Sequence, residues 1–427
     1  MSATVSIVRG KEPDKMVMEV LRLLGGLESI VSGQNAVIKP NLGPWFPTVV
    51  PRFVNRWATT KPEIVAAMVK ELRKVGINDV SVAEGAFLDL DATAQFEESG
   101  MKKMVEEAGG KVIDLDRGGH VRVSVAENFE FEIGKSVLNT DNLINMPVMK
   151  THTMTRLSLG IKNLKGTVSK ASKRAMHRGD LERSIAFLSK TLRPKLTIVD
   201  GLVGMEGLGP AVAGKPKNPG LLIGGTDPVA VDAVTATIMG HDPKEIEHIK
   251  IASELGLGEI NVDRIKILGV PLEKAKHPFE PAPLGAHNMI GTFGLQGVRY
   301  FGWTPGVIGS ECTGCIDTVM SALWALRSDV ATIQRPLDIV IGPRGIPDEI
   351  GNNVLLYGNC QAKNGNRGKW LPGCPPSTKD AYMSIGKMAL SRPTFGWALT
   401  KRLFKGQKTE PLSEWKRYDI QMNAKLY

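Results

Sequence analysis

Short apolar runs alternate with helical patterns from the N-terminus to about residue 270, and this alternation restricts the fold more than any other feature of the chain. The runs that predict strands are 5–10, 35–40, 80–86, 111–115, 142–148, 196–202, 220–225 and 264–269, and the patterns that predict helices are 14–24, 62–75, 95–108, 180–192, 228–239 and 243–255. Strands that alternate with helices predict a mostly parallel sheet with helices on both faces. One stretch, VRVSVAENFEFEI, alternates with a period of two and predicts an antiparallel hairpin within residues 116–135.

The rest of the chain predicts a second, smaller α/β domain. Residues 271–310 are rich in proline and glycine, which indicates a linker with irregular packing. Periodic patterns return as a helix at 317–328, strands at 337–341 and 353–357, and a helix at 379–390. We therefore divide the chain into an α/β domain at 1–270, a linker at 271–310, and a cluster-binding domain with a basic tail at 311–427.

The charge of the chain favours anionic partners. Of its 427 residues, 54 are Lys or Arg and 44 are Asp or Glu, which gives a net charge of +10. The densest basic region is the tail at 401–417, where aromatic residues are interleaved. Such a tail can bind RNA or a membrane surface, but more often packs on its own domain, so we do not expect nucleic acid as a partner.

Two observations on hydrophobicity bear on location. No apolar run reaches the roughly 18 residues that span a bilayer. The first residues, MSATVSIVRGKEPDK, lack the layout of a secretory signal and lead directly into a predicted strand. We expect a cytoplasmic protein without a transmembrane segment.

The stretch NMPVMKTHTMTRLSLGIKNLK, at 145–165, concentrates basic and polar side chains between two apolar runs. Reactive side chains commonly project from strand ends in α/β proteins, and lysines next to a histidine are suited to hold an anion. The plainer alternative is a solvated basic loop, which the apolar flanks make less favourable. The candidates in this stretch are Lys150, Thr151, His152, Lys162 and Asn163.

Other predicted strands end in similar polar residues, namely Lys39, Asn41, Glu84, Asp200 and Glu206. In a parallel sheet the carboxyl ends of the strands lie along one edge, so one cleft can hold all of these side chains. Lys39, Lys150 and Lys162 would bind the anion together with Asn41, Thr151, Asn163, Asp200 and Glu206, and Glu84 would join Lys150 in catalysis. For Asp200 and Asp227 an ordinary turn or helix cap is an equally good interpretation.

His177 lies in the very basic segment KASKRAMHRGD. Neighbouring cations lower the proton affinity of an imidazole, which suits a neutral base or a ligand. An exposed loop histidine is the alternative. Either His152 or His177 would move a proton in the predicted site.

All four cysteines lie between residues 312 and 374, as Cys312-x-x-Cys315, Cys360 and Cys374. In a cytoplasmic chain this clustering favours a metal site over disulfides. CTGC at the start of a predicted helix places thiolates where the helix N-terminus stabilises negative charge. Four thiolates suit a [4Fe–4S] cluster or structural zinc; the split second pair favours the cluster, and a site without metal is the third possibility. Neither a phosphate-binding loop nor a dinucleotide-binding glycine motif is present, so we predict no nucleotide cofactor.

Several stretches together resemble the family called domain of unknown function three-six-two. They include VIKPNL (37–42), TTKPEIVAAMVKEL (59–72), VAEG (82–85), INMPVMKTH (144–152), LGIKNLKG (159–166), IVDG (198–201), MEGLGP (205–210) and GGTDPVAVDAV (224–234). The resemblance implies an α/β core with a basic site, and members often carry iron–sulfur labels, but it implies no settled reaction. The ferredoxin-type cysteine runs of many members are missing here. LPGCPP (371–376) also resembles the last cluster-ligand motif of small hydrogenase subunits.

From these features we expect an iron–sulfur-dependent enzyme, either a reductase or a lyase, that acts on a small carboxylate or phosphate. The second hypothesis is a non-catalytic electron-transfer or carrier protein that docks an acidic redox partner. The third, nucleic-acid binding through the tail, is the least favoured.

Overall fold

The structure is a computed structural model that describes residues 3–43, 56–86, 91–127, 129–210, 214–284, 297–301, 313–326, 335–342, 346 and 348–390. Cys312 and the basic tail lie outside the described residues. In the described ranges, no helix is both long enough and apolar enough to cross a membrane.

The strands, in chain order, are β1 (Thr4–Arg9), β2 (Asn35–Pro40), β3 (Asp79–Glu84), β4 (Lys111–Asp114), β5 (His120–Ala126), β6 (Phe129–Gly134), β7 (Asn142–Met146), β8 (Val148–His152), β9 (Arg156–Ser158), β10 (Leu196–Glu206), β11 (Lys215–Lys217), β12 (Leu221–Gly225), β13 (Lys266–Gly269), β14 (Val298–Phe301), β15 (Leu337–Ile341), β16 (Val354–Tyr357) and β17 (Lys369–Leu371). The helices are α1 (Pro13–Leu23), α2 (Pro62–Lys74), α3 (Ala92–Glu98), α4 (Met101–Glu107), α5 (Lys135–Leu138), α6 (Gly160–Asn163), α7 (Lys170–Arg178), α8 (Leu181–Leu192), α9 (Pro228–Ile238), α10 (Glu247–Glu254), α11 (Leu272–Ala275), α12 (Thr313–Leu326) and α13 (Thr378–Ala389).

The large sheet has the strand order β13-β1-β12-β10-β7-β2-β3-β4. Outside this order, β8 and β11 pair with β10, and β9 pairs with β8. Along that main path its strands are parallel except for β12. Strand residues alternate between two cores: Val37 packs with α8, α9 and α10, whereas Ile38 packs with α1, α2 and α4. This period of two places helices on both faces, as the sequence predicts, so the fold is α/β.

The predicted hairpin is also confirmed, since β5 and β6 form a separate antiparallel pair. A second, four-stranded sheet has the order β14-β15-β16-β17 and is parallel throughout. Its strand β14 lies within the stretch that the sequence assigned to the linker. Met154 and Leu208, from the large-sheet region, pack against the core of this small sheet, so the two regions are in contact.

Two expectations about individual elements are wrong. β12 runs antiparallel to both β1 and β10, so its carboxyl end lies at the opposite edge from the predicted cleft. Asp227 there caps α9, whereas Asp232, one turn further on, has another role that is described below. The helix predicted at 95–108 is broken into α3 and α4 at Gly100, which has a φ of 76°. This left-handed conformation suits glycine and ends a helix.

Thr60 does not cap α2. Its hydroxyl donates to the Met146 carbonyl at 2.7 Å and accepts the Asn41 amide at 2.8 Å, so it links β2 to β7 instead. The helix α2 begins at Pro62, and its N-cap residue Lys61 makes no side-chain capping bond.

Candidate functional site

Lys39 lies near the end of β2 and is completely buried. Its Nζ donates to Glu84 Oε2 at 2.6 Å, to the Pro40 carbonyl at 2.7 Å and to Asn163 Oδ1 at 3.2 Å. Burial lowers the pKa of Lys39, while the Glu84 carboxylate opposes that change. The adjacent strands β2 and β3 thus place Lys39 and Glu84 at the carboxyl edge, and the structure joins them in a buried ion pair that the sequence did not predict.

Three asparagines connect this ion pair to the helix α6. Asn163 on α6 donates to the Lys39 carbonyl at 3.1 Å and to Asn145 Oδ1 at 2.8 Å. Asn145 donates to the Gly160 carbonyl at 2.8 Å, and Asn41 donates to Asn163 Oδ1 at 2.5 Å. These bonds fix α6 against the ends of β2 and β7. Asn41 and Asn163 are therefore part of the site, but their amides bond to the protein itself.

Gly166 allows the chain after α6 to pass directly over the ion pair. A Cβ atom at this residue would lie 2.6 Å from Lys39 Nζ. The Gly166 carbonyl accepts the Gly85 amide at 3.2 Å. Any larger residue would displace the ion pair or the backbone, so glycine is required by this close approach.

Lys150 lies on β8, within a hairpin with β9 that the sequence predicted as a loop. The correction has a local cause: Pro147 ends β7, and the chain resumes as β8 beside the far half of β10, where a pairing partner is available. Lys150 is 5% exposed, and its Nζ donates to the Ala58 carbonyl at 3.3 Å. Burial, and then the charges of Lys162 and Lys39, lower the pKa of Lys150 to about 7.

His152 is also buried on β8, where its Nδ1 accepts the Met154 amide at 3.0 Å. Burial and then the charges of Lys162 and Lys165 hold the pKa of His152 well below its ordinary value, so its imidazole is neutral at pH 7. Thr151 points elsewhere, since its hydroxyl donates to the Gly207 carbonyl at 2.9 Å. Thr151 therefore joins β8 to the turn after β10 and does not face the lysines.

His177 lies on helix α7 and is half-buried, so the alternative of an exposed loop histidine is wrong. Its Nε2 contacts Lys165 Nζ. Burial and the nearby charges of Lys165 and Lys162 hold the pKa of His177 well below its ordinary value. The structure therefore places His152 and His177 in the same electrostatic neighbourhood, together with Lys162 and Lys165.

Asp200 and Glu206 lie beside the lysine cluster and have other partners. Asp200 accepts the backbone amides of Lys61 at 2.9 Å and Leu202 at 3.0 Å, so it anchors the start of α2. Burial raises the pKa of Asp200 to about 6. Glu206 forms a salt bridge with Lys217 at 3.1 Å and accepts the Glu280 amide at 2.9 Å. Neither carboxylate has a direct bond to the predicted anion-binding lysines among the described residues.

Asp232 is a functional neighbour that sequence reasoning did not select. Its carboxylate accepts the amides of Gly160 at 2.7 Å and Ile161 at 2.8 Å, which are the first residues of α6. Burial raises the pKa of Asp232 to about 6. The available signal was an aspartate in the otherwise apolar run VAVDAV, because a carboxylate within a buried helix needs donors from another element.

Lys173 on α7 is a second residue that was missed. Its Nζ donates to the Ala86 carbonyl at 3.1 Å. Burial lowers the pKa of Lys173, while the carboxylates of Asp116 and Glu84 oppose this change. Lys173 reaches the Lys39–Glu84 pair because α7 crosses the end of β3. Local sequence patterns do not predict this crossing.

Three of the predicted cysteine ligands lie at the carboxyl edge of the small sheet. Cys315 is in the first turn of α12, Cys360 follows β16, and Cys374 follows β17. The Asn359 amide donates to the Gly373 carbonyl at 2.9 Å and the Gly373 amide donates to Asn359 Oδ1 at 2.8 Å, which holds the last two segments together. A Cβ atom on Gly358, which has a φ of 89°, would lie 3.4 Å from Cys315 Sγ.

The three thiols differ in exposure, because Cys315 is buried, Cys374 is half-buried and Cys360 is exposed. Within the described ranges, no group of three or more His, Cys, Asp or Glu side chains is arranged to hold a metal ion. Cys312, the fourth predicted ligand, lies outside those ranges. The binding of a metal or cluster to these cysteines stays a prediction.

Comparisons with known proteins extend this description. Residues 36–237 match the profile of a family described as Domain of unknown function (DUF362). The chain is 28% identical over 248 residues to a thylakoid-associated protein from Synechocystis, a match that covers 56% of this chain and 73% of that protein.

Two solved structures are similar at low sequence identity. One is the lactate racemase apoprotein from Thermoanaerobacterium thermosaccharolyticum, with a TM-score of 0.39, 13% identity, and coverage of 56% of this chain and 57% of that one. The other is a protein from Thermotoga maritima, with a TM-score of 0.35, 10% identity, and coverage of 58% and 60%. The alignments thus span little more than half of each solved chain.

Proposed function

Because residues 36–237 match the profile of the DUF362 domain family and hold a buried cluster of lysines, we propose that this chain is an enzyme that binds a small carboxylate or phosphate. The anion would be held by Lys39, Lys150 and Lys162 at the carboxyl edge of the large sheet. The observation that carries the proposal is that these three lysines are at most 8% exposed, and that Lys150 bonds to the Ala58 carbonyl and to no carboxylate among the described residues.

The physical argument concerns charge. Burying an ammonium group away from water costs several kcal/mol unless an opposite charge or hydrogen bonds compensate. The Glu84 carboxylate compensates the charge of Lys39, since its Oε2 lies 2.6 Å from Lys39 Nζ. Lys150 has no such carboxylate among the described residues, so a bound anion would lower the free energy of its charged form.

The same cluster can move protons near neutral pH. With a pKa of about 7, Lys150 exchanges a proton with a bound substrate at little cost. His152 and His177 are neutral and can accept a proton once an anion offsets the nearby cations. Glu84 orients Lys39 and accepts the Gly85 amide at 3.0 Å, so it acts on the substrate through that lysine.

The proposal extends to the small sheet, where Cys315, Cys360, Cys374 and Cys312 would hold a [4Fe–4S] cluster, with zinc as the alternative. A bound cluster would supply one-electron chemistry, or a Lewis-acidic iron if one cysteine is not a ligand. Met154, two residues after His152, packs on the core of the small sheet. This contact brings the cysteine region next to the anion site and supports a joint role in reductase or lyase chemistry.

A second candidate function is a non-catalytic electron-transfer or carrier protein. It is favoured by the exposure of Cys360, which would make a cluster accessible to a redox partner protein. However, Lys39 and Lys150 are too deeply buried to contact the surface of an acidic protein. Their burial therefore favours the small substrate over a docked partner.

Sulfate is a suitable probe of the anion site, because its charge does not change between pH 6 and 9. Wild-type protein should bind sulfate saturably and gain thermal stability. Substitution of Lys162→Gln should weaken this binding about tenfold, the loss typical of one charge-assisted hydrogen bond. The matched control is Lys103→Gln on α4, whose side chain is 79% exposed. Equal sulfate affinity in wild type and Lys162→Gln would remove the proposed site.

The cluster is tested separately by anaerobic purification with iron, sulfide and zinc analysis and electron paramagnetic resonance. Wild-type protein should contain iron and sulfide, and Cys315→Ser should lose most of both. Thr318→Val, which alters the neighbouring bond between Thr318 and Tyr357 without removing a thiol, is the control. Colourless protein that contains only zinc would support the zinc alternative and defeat the cluster.

A further inference from the structure

We propose that Lys150 is a nucleophile that condenses with the carbonyl group of a 2-oxo acid and forms an imine. This inference rests on the proposed anion site and specifies its substrate class. The carboxylate of the 2-oxo acid would be bound by Lys162, and its carbonyl carbon would lie against Lys150 Nζ. No reaction of this kind follows from the family or from the similar proteins described above.

The first argument is that the lysines of this cluster differ in the hydrogen-bond and charge partners of their ammonium groups. Lys39 donates three hydrogen bonds, one of them to a carboxylate, and Lys173 is stabilised by the charges of Asp116 and Glu84. For Lys150, by contrast, the described residues supply one hydrogen-bond acceptor, the Ala58 carbonyl at 3.3 Å, and no carboxylate within 4.0 Å. A buried amine in this setting loses its proton more readily than an exposed one, and the unprotonated amine has the lone pair that attacks a carbonyl.

The second argument is the arrangement of charge around Lys150. Lys162 is its strongest cationic neighbour, and Lys39 is the next. A lysine next to another cation is a recognised way to obtain a reactive amine at neutral pH. The same neighbouring cation binds the carboxylate of the substrate, so one feature would both activate the amine and position the carbonyl.

The chemical step is balanced without any further reactant. The neutral amine of Lys150 attacks the carbonyl carbon, and proton transfer gives a carbinolamine. Loss of its hydroxyl as water then forms the C=N bond. The Lys39–Glu84 pair, which interacts with Lys150 electrostatically, would protonate the departing hydroxyl and take up the proton that nitrogen releases. The imine withdraws electrons from the adjacent carbon, which would assist loss of a proton or a carboxyl group there.

Reductive trapping tests this inference. The full-length protein is incubated with pyruvate and sodium cyanoborohydride at pH 7, and the modified residue is located by peptide mass spectrometry. Lys150 should carry one reduced pyruvyl group. At this pH its unprotonated fraction exceeds that of an exposed lysine by about a thousandfold, so exposed lysines should react far more slowly.

Two variants and a competition make the outcome decisive. Lys150→Arg keeps the positive charge but cannot form the imine, so it should lose the adduct and still bind sulfate. Lys162→Gln should need more pyruvate but give the same adduct on Lys150 at saturation. Sulfate should protect the wild type from modification.

The trapping and competition results together distinguish failure of the imine from failure of the anion site. An adduct on Lys150 that sulfate prevents supports the inference. Competition between pyruvate and sulfate without an adduct, or an adduct spread over exposed lysines, overturns the imine and leaves the anion site intact. Failure of both pyruvate and sulfate to bind overturns the anion site as well.

Discussion

The carboxyl edges of the two sheets follow the same topological rule but collect different chemistry. At the large sheet, strand ends and α6 bring together lysines that are nearly all buried. At the small sheet, they bring together cysteines that range from buried to exposed. The difference shows that a parallel sheet provides the place for a site, whereas the burial of each side chain determines what the site can bind.

Buried aspartates in the two regions also differ in the direction in which their pKa is shifted. In the large-sheet region, burial raises the pKa of Asp200 and of Asp232 to about 6. In the small-sheet region, burial acts on Asp338 in the same direction, but bonds from Arg299 at 2.6 and 2.7 Å lead to a lowered pKa. In the first region these two buried carboxylates bond to backbone amides, whereas in the second region the Asp338 carboxylate is compensated by an arginine.

Removal of the Glu84 carboxylate should cause the largest change in the free energy of unfolding. Glu84→Gln leaves Lys39 buried without its counter-charge and should lower the free energy of unfolding by about 3–5 kcal/mol, as measured by urea denaturation. The control Glu71→Gln, which breaks a surface pair with Lys74, should change it by about 0.5 kcal/mol or less. A small loss in Glu84→Gln would show that the lysine cluster does not depend on its ion pair.

The next effect is a dependence of stability on pH. The raised pKa of Asp232 contributes stability that is present below pH 4 and is lost as the pH rises through about 6. The stability of Asp232→Asn relative to wild type should therefore increase by up to about 3 kcal/mol between pH 4 and 7. Asp338→Asn should show the opposite slope, and at lower pH, because a lowered pKa contributes stability that is present above about pH 4 and is lost as the pH falls further. Parallel slopes for the two variants would contradict the difference between the regions.

A smaller effect concerns sulfate affinity. Lys150 is cationic below its pKa of about 7 and neutral above it, so wild-type affinity for sulfate should fall about tenfold as the pH rises from 6 to 8.5. Lys150→Arg stays cationic, and its affinity should fall much less. Calorimetric titration of both proteins measures this difference. Identical pH profiles would show that another group controls anion binding.

The smallest effect tests the contact between the two regions. Met154→Ala should destabilise the small sheet by about 1 kcal/mol, less than the loss of a fully buried methionine, because Met154 is only half-buried. Faster hydrogen exchange of β14–β17 amides would report the change. Met18→Ala on the exposed side of α1 is the control and should leave those amides unaffected.

Sequence alone determined the α/β class, the hairpin β5–β6 and most strand positions, because apolar periodicity is a local property that burial enforces. It also identified the strand ends that carry Lys39 and Glu84, since those residues end apolar runs. It did not show that β12 is antiparallel, that Lys150 and His152 lie in a buried strand, or that His177 is on a helix.

Only the tertiary structure decided which polar residues face one another. Asp232 was brought to the start of α6, Thr151 was turned towards Gly207, and Glu206 was paired with Lys217, although each lies near a predicted site residue in the chain. The physical reason is that apolar burial is non-directional and can be read from local pattern, whereas hydrogen bonds and ion pairs require partners that distant segments supply. The sequence therefore specified the edge of the sheet at which polar residues gather, and the packing of α6, α7 and the β8–β9 hairpin specified which of them are in contact.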